Sequence, residues 1–330
     1  MNTRYYYCPE LEIYDKIGFK WIAHLMFMNS PNYRSEVCNT DINGLRFNSQ
    51  NLLNSDVKSI FDNKIEKEKS IMVGSSTTFG VGATSDEKTI PGILSNKSQY
   101  FFYNFGGRAF NGLQEYVLTT LMINNLKNTK KILLYSGMND VYMSYNKSFI
   151  PTFPGPFYFN KDFLVNMDNK VSSFGQKIKD FLFIIYKKQK ENKLNLSFPK
   201  IKLEEIVFRN IKLWKLFSKS INTEVIFFLP PFLPWSKEEK SYSKEEKEIT
   251  AYIKKTGGAK NTSYFNEIEK DYNKIVKLFE DNCKKHEIKF YDCNVLFRTK
   301  AHNDKWLFVD KTHLTDYGNE LISNFILEKL

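Results

Sequence analysis

Five short apolar runs punctuate the chain, each of a length that suits a buried strand. They cover residues 70–74, 100–105, 131–136, 224–229 and 288–291. Between them apolar residues recur at helical spacing. Residues 114–126 show this pattern, and so do 203–217, where Leu203, Ile206, Val207, Leu213, Trp214 and Phe217 share one face. A third set, Ile268, Tyr272, Ile275, Val276, Phe279 and Cys283, follows the same period. Strands that alternate with helices predict an α/β chain whose parallel sheet is covered on both faces.

Two segments depart from that alternation. Residues 1–65 precede the first strand without a clean period and are expected to pack as an extension on a core domain of residues 66–330. Residues 145–223 look like an insertion. They hold "FIPTFPGPFYF" at 149–159 and the basic, amphipathic "IKDFLFIIYKKQKENK" at 178–193. Connections that long tend to be functional, as lids or specificity elements. The basic helix reads as packed with a solvated lysine face, the membrane surface being the alternative. "SKEEKSYSKEEKE", residues 236–248, reads as a solvated surface. No repeat of 20–50 residues is present.

Composition narrows the function classes. The chain has 330 residues, 42% of them hydrophobic and 16% aromatic, enough for a sizeable core. A net charge of +11 would suit nucleic acid, an anionic membrane or an acidic substrate. Lysine is spread along the whole length, however, and no zinc-finger spacing or RNA-binding aromatic motif accompanies it, so nucleic acid is not an expected partner. Cys8, Cys38, Cys283 and Cys293 form no CxxC pair, which favours a reducing, cytoplasmic setting. Residues 17–28 are a poor export signal. They begin late, carry Lys20 and His24, and lack a small-residue cleavage site. No run approaches the roughly 18 apolar residues of a membrane span.

In open parallel sheets, sites form beyond the carboxyl ends of the strands. After the first strand comes Gly74-Ser75-Ser76-Thr77-Thr78, and after the second "NFGGRAFNG" at 104–112. Gly137-Met138-Asn139-Asp140 follows the third, "PPFLPW" the fourth, and "FVDKTHLTDYGN" lies beyond the fifth. These are the parts of an acyl-transfer site. A serine hydroxyl needs a general base, which His313 can supply. The imidazole needs an acceptor to hold its tautomer, and Asp310 reaches it from the same turn. The oxyanion needs preorganised donors. The N–H of Ser76, an N–H from the loop after the second strand and the Asn139 amide offer three.

The four blocks resemble those of the SGNH (GDSL-type) hydrolases, in the same order. Gly74-Ser75-Ser76-Thr77 is similar to the serine block, with Ser76 at the nucleophile position. Residues 104–112 are similar to the glycine block. Gly137-Met138-Asn139-Asp140 matches GxND, and Asp310-Lys311-Thr312-His313 matches DxxH. "TDINGLRF" at 40–47 and "IPGIL" at 90–94 are weaker echoes. The resemblance spans roughly residues 40–322. It implies a three-layer α/β/α sandwich with a flavodoxin-like five-stranded parallel sheet. Ser75 stands where the family often has Asp. Ala109 stands where the oxyanion-hole glycine belongs; its N–H serves if its backbone angles are ordinary, and Gly107 is the fallback donor. The GxSxG elbow of α/β-hydrolases is absent.

Plainer roles compete at each position. Ser76 alone would read as a helix N-cap, Asn139 as a turn residue and His313 as a structural histidine. Ser75, Thr77 and Thr78 read as caps and turn formers. Asp310 with His313 has no third ligand at convincing metal spacing. Arg108 is a candidate to steer an anionic substrate, with a plain surface role as the alternative, and Asp140 reads as a cap of the following helix and as a second candidate substrate contact. Together the blocks point to a serine esterase that needs no cofactor and acts on a small-molecule or glycan ester, with removal of an O-acetyl group from a carbohydrate favoured. An O-acyltransferase that uses the same acyl-enzyme, and a non-catalytic binding protein of the same fold, are the alternatives. Acyl group, alcohol and oligomeric state stay open.

Overall fold

The computed structural model describes residues 2–49, 57–62, 64–146, 149, 155–159, 201–256 and 258–330. The chain begins with two short helices, α1 (Thr3–Tyr7) and α2 (Glu10–Lys16), and a hairpin of β1 (Phe19–Ile22) and β2 (Met26–Asn29). The main sheet is built from β3 (Glu68–Gly74), β4 (Tyr100–Gly106), β5 (Lys131–Tyr135), β6 (Glu224–Leu229) and β7 (Lys289–Asp292). Each coincides with one of the five apolar runs. All neighbours pair in parallel, in the order β4-β3-β5-β6-β7. With β3 counted as the first strand, this is the 2-1-3-4-5 order of flavodoxin-like sheets, which reverse direction between the first and third strands.

The pleat sends alternate side chains to opposite faces, and both faces are apolar. Ile71, Val73, Ile132, Leu134, Val225 and Phe227 join one core cluster. There they meet Leu118 of α5 (Gly112–Leu121), Ile211 and Trp214 of α7 (Leu203–Ile221) and Ile275 and Phe279 of α10 (Tyr272–Lys285). Met72, Phe102, Leu133, Tyr135, Ile226 and Phe228 form the opposite cluster with Ile90 and Leu94 of α4 (Ile90–Lys97) and Ile322 and Ile326 of α11 (Asp316–Leu327). The result is a three-layer α/β/α sandwich.

α3 (Ser76–Phe79) and α6 (Met138–Tyr145) are short helices that begin just past β3 and β5. α8 (Lys244–Thr256) and α9 (Gly258–Lys270) complete the described helices used below. Most of the expected insertion, including the basic stretch 178–193, lies outside the described residues. Its last part does not: residues 203–221 are α7, a helix packed on the sheet.

Residues 2–49 pack on the sandwich. Leu11, Tyr14, Ile17 and Cys38 share a third cluster with Phe79 and Val309. Arg46 bridges to Asn104 of β4. All four cysteines are buried free thiols. Among the described residues, no helix is long and apolar enough to cross a membrane.

Candidate active site

Register sets the site. β3 pairs with both neighbours so that Gly74 lies beside Gly106 and Tyr135. The three chains therefore leave the sheet at one level, at the switch point of the strand order. The turn after β3 is tight. A Cβ on Gly74 would come within 2.2 Å of both Thr78 Oγ1 and the Tyr135 carbonyl, so only glycine fits there. Ser75 then takes the N-cap place of α3 without making a side-chain cap bond. The first N–H groups of a helix have no intrahelical partner, so that of Ser76 stays available.

Ser76, His313 and Asp310 form a hydrogen-bonded chain. Ser76 Oγ lies 2.7 Å from His313 Nε2, and His313 Nδ1 lies 2.7 Å from Asp310 Oδ2. The second carboxylate oxygen accepts the N–H groups of Thr312 and His313, each at 2.8 Å. Burial opposes ionisation of Asp310, but the His313 ring, Arg4 and the His313 N–H hold its carboxyl well below the usual range. An ionised carboxylate only accepts. Nδ1 therefore carries the ring proton, and Nε2 is left to accept from the serine hydroxyl. The loop is pinned by the Val309 N–H on the His313 carbonyl at 2.9 Å and by the Phe308–Leu314 bridge.

The loop after β4 resolves which backbone donor is free. Gly106 N–H donates to Asn104 Oδ1 at 2.9 Å and Gly107 N–H to the Gly74 carbonyl at 3.0 Å. Arg108 N–H donates to Asn29 Oδ1 at 3.2 Å and Phe110 N–H to the Gly107 carbonyl at 3.1 Å. Ala109 N–H has no acceptor among the described residues, and Ala109 lines the same cleft as Ser76 and Asn139. The fallback donor, Gly107, is already engaged. Ala109 does not have ordinary angles, however: its φ is 63°. It occupies the third place of the turn closed by Phe110, where a positive φ usually selects glycine. The Asn139 amide, in the first turn of α6, donates one hydrogen to the Phe110 carbonyl at 2.7 Å and keeps the other.

Of the two candidate substrate contacts, Arg108 lines the cleft but is largely engaged by backbone, and Asp140 is not among the lining residues. The guanidinium of Arg108 donates to the carbonyls of Tyr14 (2.6 Å), Ile17 and Gly18 (3.0 Å), and Nε donates to Asn29 Oδ1 at 3.2 Å. It also lies 4.4 Å over the Phe19 ring. Arg108 thus clamps the N-terminal segment to the glycine loop, with four of its five side-chain N–H donors engaged there. Asp140 is buried and accepts from Gly112 N–H at 3.1 Å and Asn210 Nδ2 at 3.3 Å, which ties α6 to α5 and α7. Burial raises its carboxyl to about 6.

The cleft around Ser76 holds about 640 Å³. Asn2, Arg4 and Asp15 reach it from the N-terminal segment, Tyr142 and Asn139 from α6, and Tyr252 from α8. The N-terminal contributors leave no trace in the sequence, because isolated polar residues in short helices make no period. Lys311 was visible inside the DxxH block but carried no signal of its own. Among the described residues, no group of three or more His, Cys, Asp or Glu side chains is placed to hold a metal ion.

No protein-family model matches the chain, and no curated protein matches it. Solved structures of similar shape include an acetyl xylan esterase, at 13% identity and a TM-score of 0.41, covering 79% of this chain and 99% of that one. A carbohydrate acetylesterase from Sinorhizobium meliloti is similar at 12% identity and a TM-score of 0.44, over 80% of this chain and 98% of its own. A lipolytic protein of the G-D-S-L family from Desulfitobacterium hafniense, described as putative, is similar at 15% identity and a TM-score of 0.41, over 80% and 100%.

Proposed function

We propose that this chain is a serine ester hydrolase of the SGNH type. The observation that carries the reading is the relay from Ser76 Oγ through His313 to Asp310, with 2.7 Å at each step and its nucleophile end open to a cleft. In this reading Ser76 Oγ attacks the ester carbonyl carbon as His313 Nε2 takes the hydroxyl proton. Asp310 stabilises the imidazolium that results. The carbonyl oxygen, now an oxyanion, is met by the N–H groups of Ser76 and Ala109 and by the Asn139 amide. The imidazolium returns its proton to the departing alkoxide. Water then attacks the acyl-enzyme, again with His313 as base, and releases the carboxylic acid and Ser76.

An O-acetylated carbohydrate is the favoured substrate. Aromatic side chains line the cleft, among them Tyr14, Tyr142, Tyr158, Tyr252 and Phe265. Such rings suit the apolar faces of a pyranose better than a flexible acyl chain, for which a continuous aliphatic channel would be the natural match. The test is product analysis with an O-acetylated sugar. Release of free acetate in the wild type, abolished in Ser76→Ala, supports hydrolysis. Acetyl transfer to an added sugar acceptor in place of release would make the protein a transferase.

A further inference from the structure

Arg4 and Lys311 line the cleft and make no hydrogen bond to the relay. Arg4, on α1, holds Nη2 3.8 Å from Asp310 Oδ2 and Nη1 3.9 Å from Asp15 Oδ2. Both separations exceed hydrogen-bond reach. Its Nε is buried with no acceptor among the described residues. Lys311 follows Asp310 in the chain. Its ammonium lies 3.7 Å over the Phe265 ring, and among the described residues it donates to no acceptor. Burial, aided by Lys254, lowers its pKa to about 8, so it is still mainly charged at neutral pH.

Arg4 helps to keep Asp310 ionised, but neither cation donates a hydrogen bond to the relay. When His313 becomes an imidazolium it is stabilised by Asp310, and a guanidinium beside the same carboxylate weakens that attraction. Asp15 is half exposed and meets Arg4 only at 3.9 Å, beyond hydrogen-bond reach, while its Oδ2 accepts the Tyr5 hydroxyl at 2.7 Å. The Arg4 fork therefore lies near two carboxylates without a side-chain hydrogen bond among the described residues, which leaves its N–H groups to an anion that arrives with the substrate. A buried donor such as Arg4 Nε is likewise costly while it stays unpaired.

We propose that the cleft takes an ester whose alcohol bears an oxyanion, a carboxylate or a phosphate, held by Arg4 and Lys311 while Ser76 faces the acyl carbon. The substrate class is then an acylated acidic or phosphorylated sugar. This rests on the esterase reading above. The planar fork of Arg4 matches either oxyanion with two parallel N–H···O bonds, and the Lys311 ammonium adds a point charge. The bound anion also screens Asp310 from Arg4, which leaves the carboxylate to the imidazolium.

The test measures binding apart from turnover. Full-length Ser76→Ala protein is titrated by calorimetry with three ligands: a mono-O-acetylated methyl glucoside, its C6-carboxylate counterpart and its 6-phosphate counterpart. At least one anionic ligand should bind about ten- to a hundredfold more tightly than the neutral one, the range for a charge-assisted hydrogen bond. That preference should shrink about tenfold or more when Arg4→Gln is added, and should also shrink with Lys311→Met. The relative affinity of carboxylate and phosphate identifies the group. Equal binding of all three ligands, or a preference that survives both added substitutions, overturns the proposal. A chemically inert Ser76 in the wild type would instead sink the esterase reading and leave the binding result standing.

Discussion

The guanidinium of Arg46 and the carboxylate of Asp86 meet at 2.7 Å with neither side chain exposed to solvent. The same guanidinium donates to the carbonyls of Phe79 (2.9 Å) and Gly80 (3.0 Å), which end the helix that Ser76 begins. It also donates to the Tyr14 hydroxyl at 2.9 Å and the Val37 carbonyl at 2.6 Å. One buried residue thus ties the N-terminal segment, the nucleophile turn and the chain before α4 together. Arg46→Met leaves Asp86 buried with its ion pair broken, which typically costs about 3–5 kcal/mol. Urea unfolding should show a loss of that size, and a change below about 1 kcal/mol would mean the pair does not hold the nucleophile turn.

Asn139 tests the oxyanion assignment. Its amide meets the Phe110 carbonyl and lines the cleft beside Ser76. Asn139→Ala should lower kcat by about 10²–10³. Stability should fall by only about 1 kcal/mol, the worth of one hydrogen bond. Equal turnover in a folded variant would assign the donor elsewhere.

Ala109 carries backbone strain at φ 63°. For a residue with a Cβ this conformation costs roughly 1–2 kcal/mol, partly offset in glycine by about 0.5–1 kcal/mol of lost backbone freedom. Ala109→Gly should therefore raise unfolding stability by up to about 1 kcal/mol and keep the N–H donor. Proline is unsuitable as a probe here, because its ring requires a φ of about −65°. A glycine variant less stable than the wild type would contradict the strained geometry.

Asp140 gives a pH signature. Burial lifts its folded value to about 6 against about 3.9 for a free Asp, with Arg209, Gly112 N–H and Asn210 only partly offsetting it. A raised carboxyl favours the protonated fold. Its contribution is full below about pH 4 and is lost as pH rises through about 6, on the order of 3 kcal/mol in all. Glu115, buried beside it and donated to by the Ser136 hydroxyl, shifts in the same direction because of its burial. Asp140→Asn can keep both hydrogen bonds and should reduce the slope of the stability profile between pH 4 and 7, leaving the share of Glu115. A profile with the wild-type slope would mean that another group titrates there.

Much of this architecture was legible because it is local. Each strand is a short apolar run, and the blocks around Ser76 and Asn139 each sit just past a strand, so strand order brings them to one rim, while the His313 block announces itself by its DxxH spacing just before α11. Arg108 and Asp140 show where local reading ends. Both follow motif positions closely, yet Arg108 is claimed by carbonyls of residues 14–18 and Asp140 by Gly112 and Asn210, partners that no spacing reveals. The φ of Ala109 was hidden for a related reason. It is imposed by the acceptors that its neighbours Gly107, Arg108 and Phe110 find in the folded loop.

The central claim is that Ser76 is an activated nucleophile. A fluorophosphonate probe, which reacts with serines deprotonated by a neighbouring base, tests it most directly, with the labelled residue identified by peptide mass spectrometry. A single label on Ser76 is expected in the wild type, and none in Ser76→Ala, together with loss of p-nitrophenyl acetate hydrolysis in that variant. A label on Ser75, or a folded Ser76→Ala protein that still hydrolyses the ester, would contradict it.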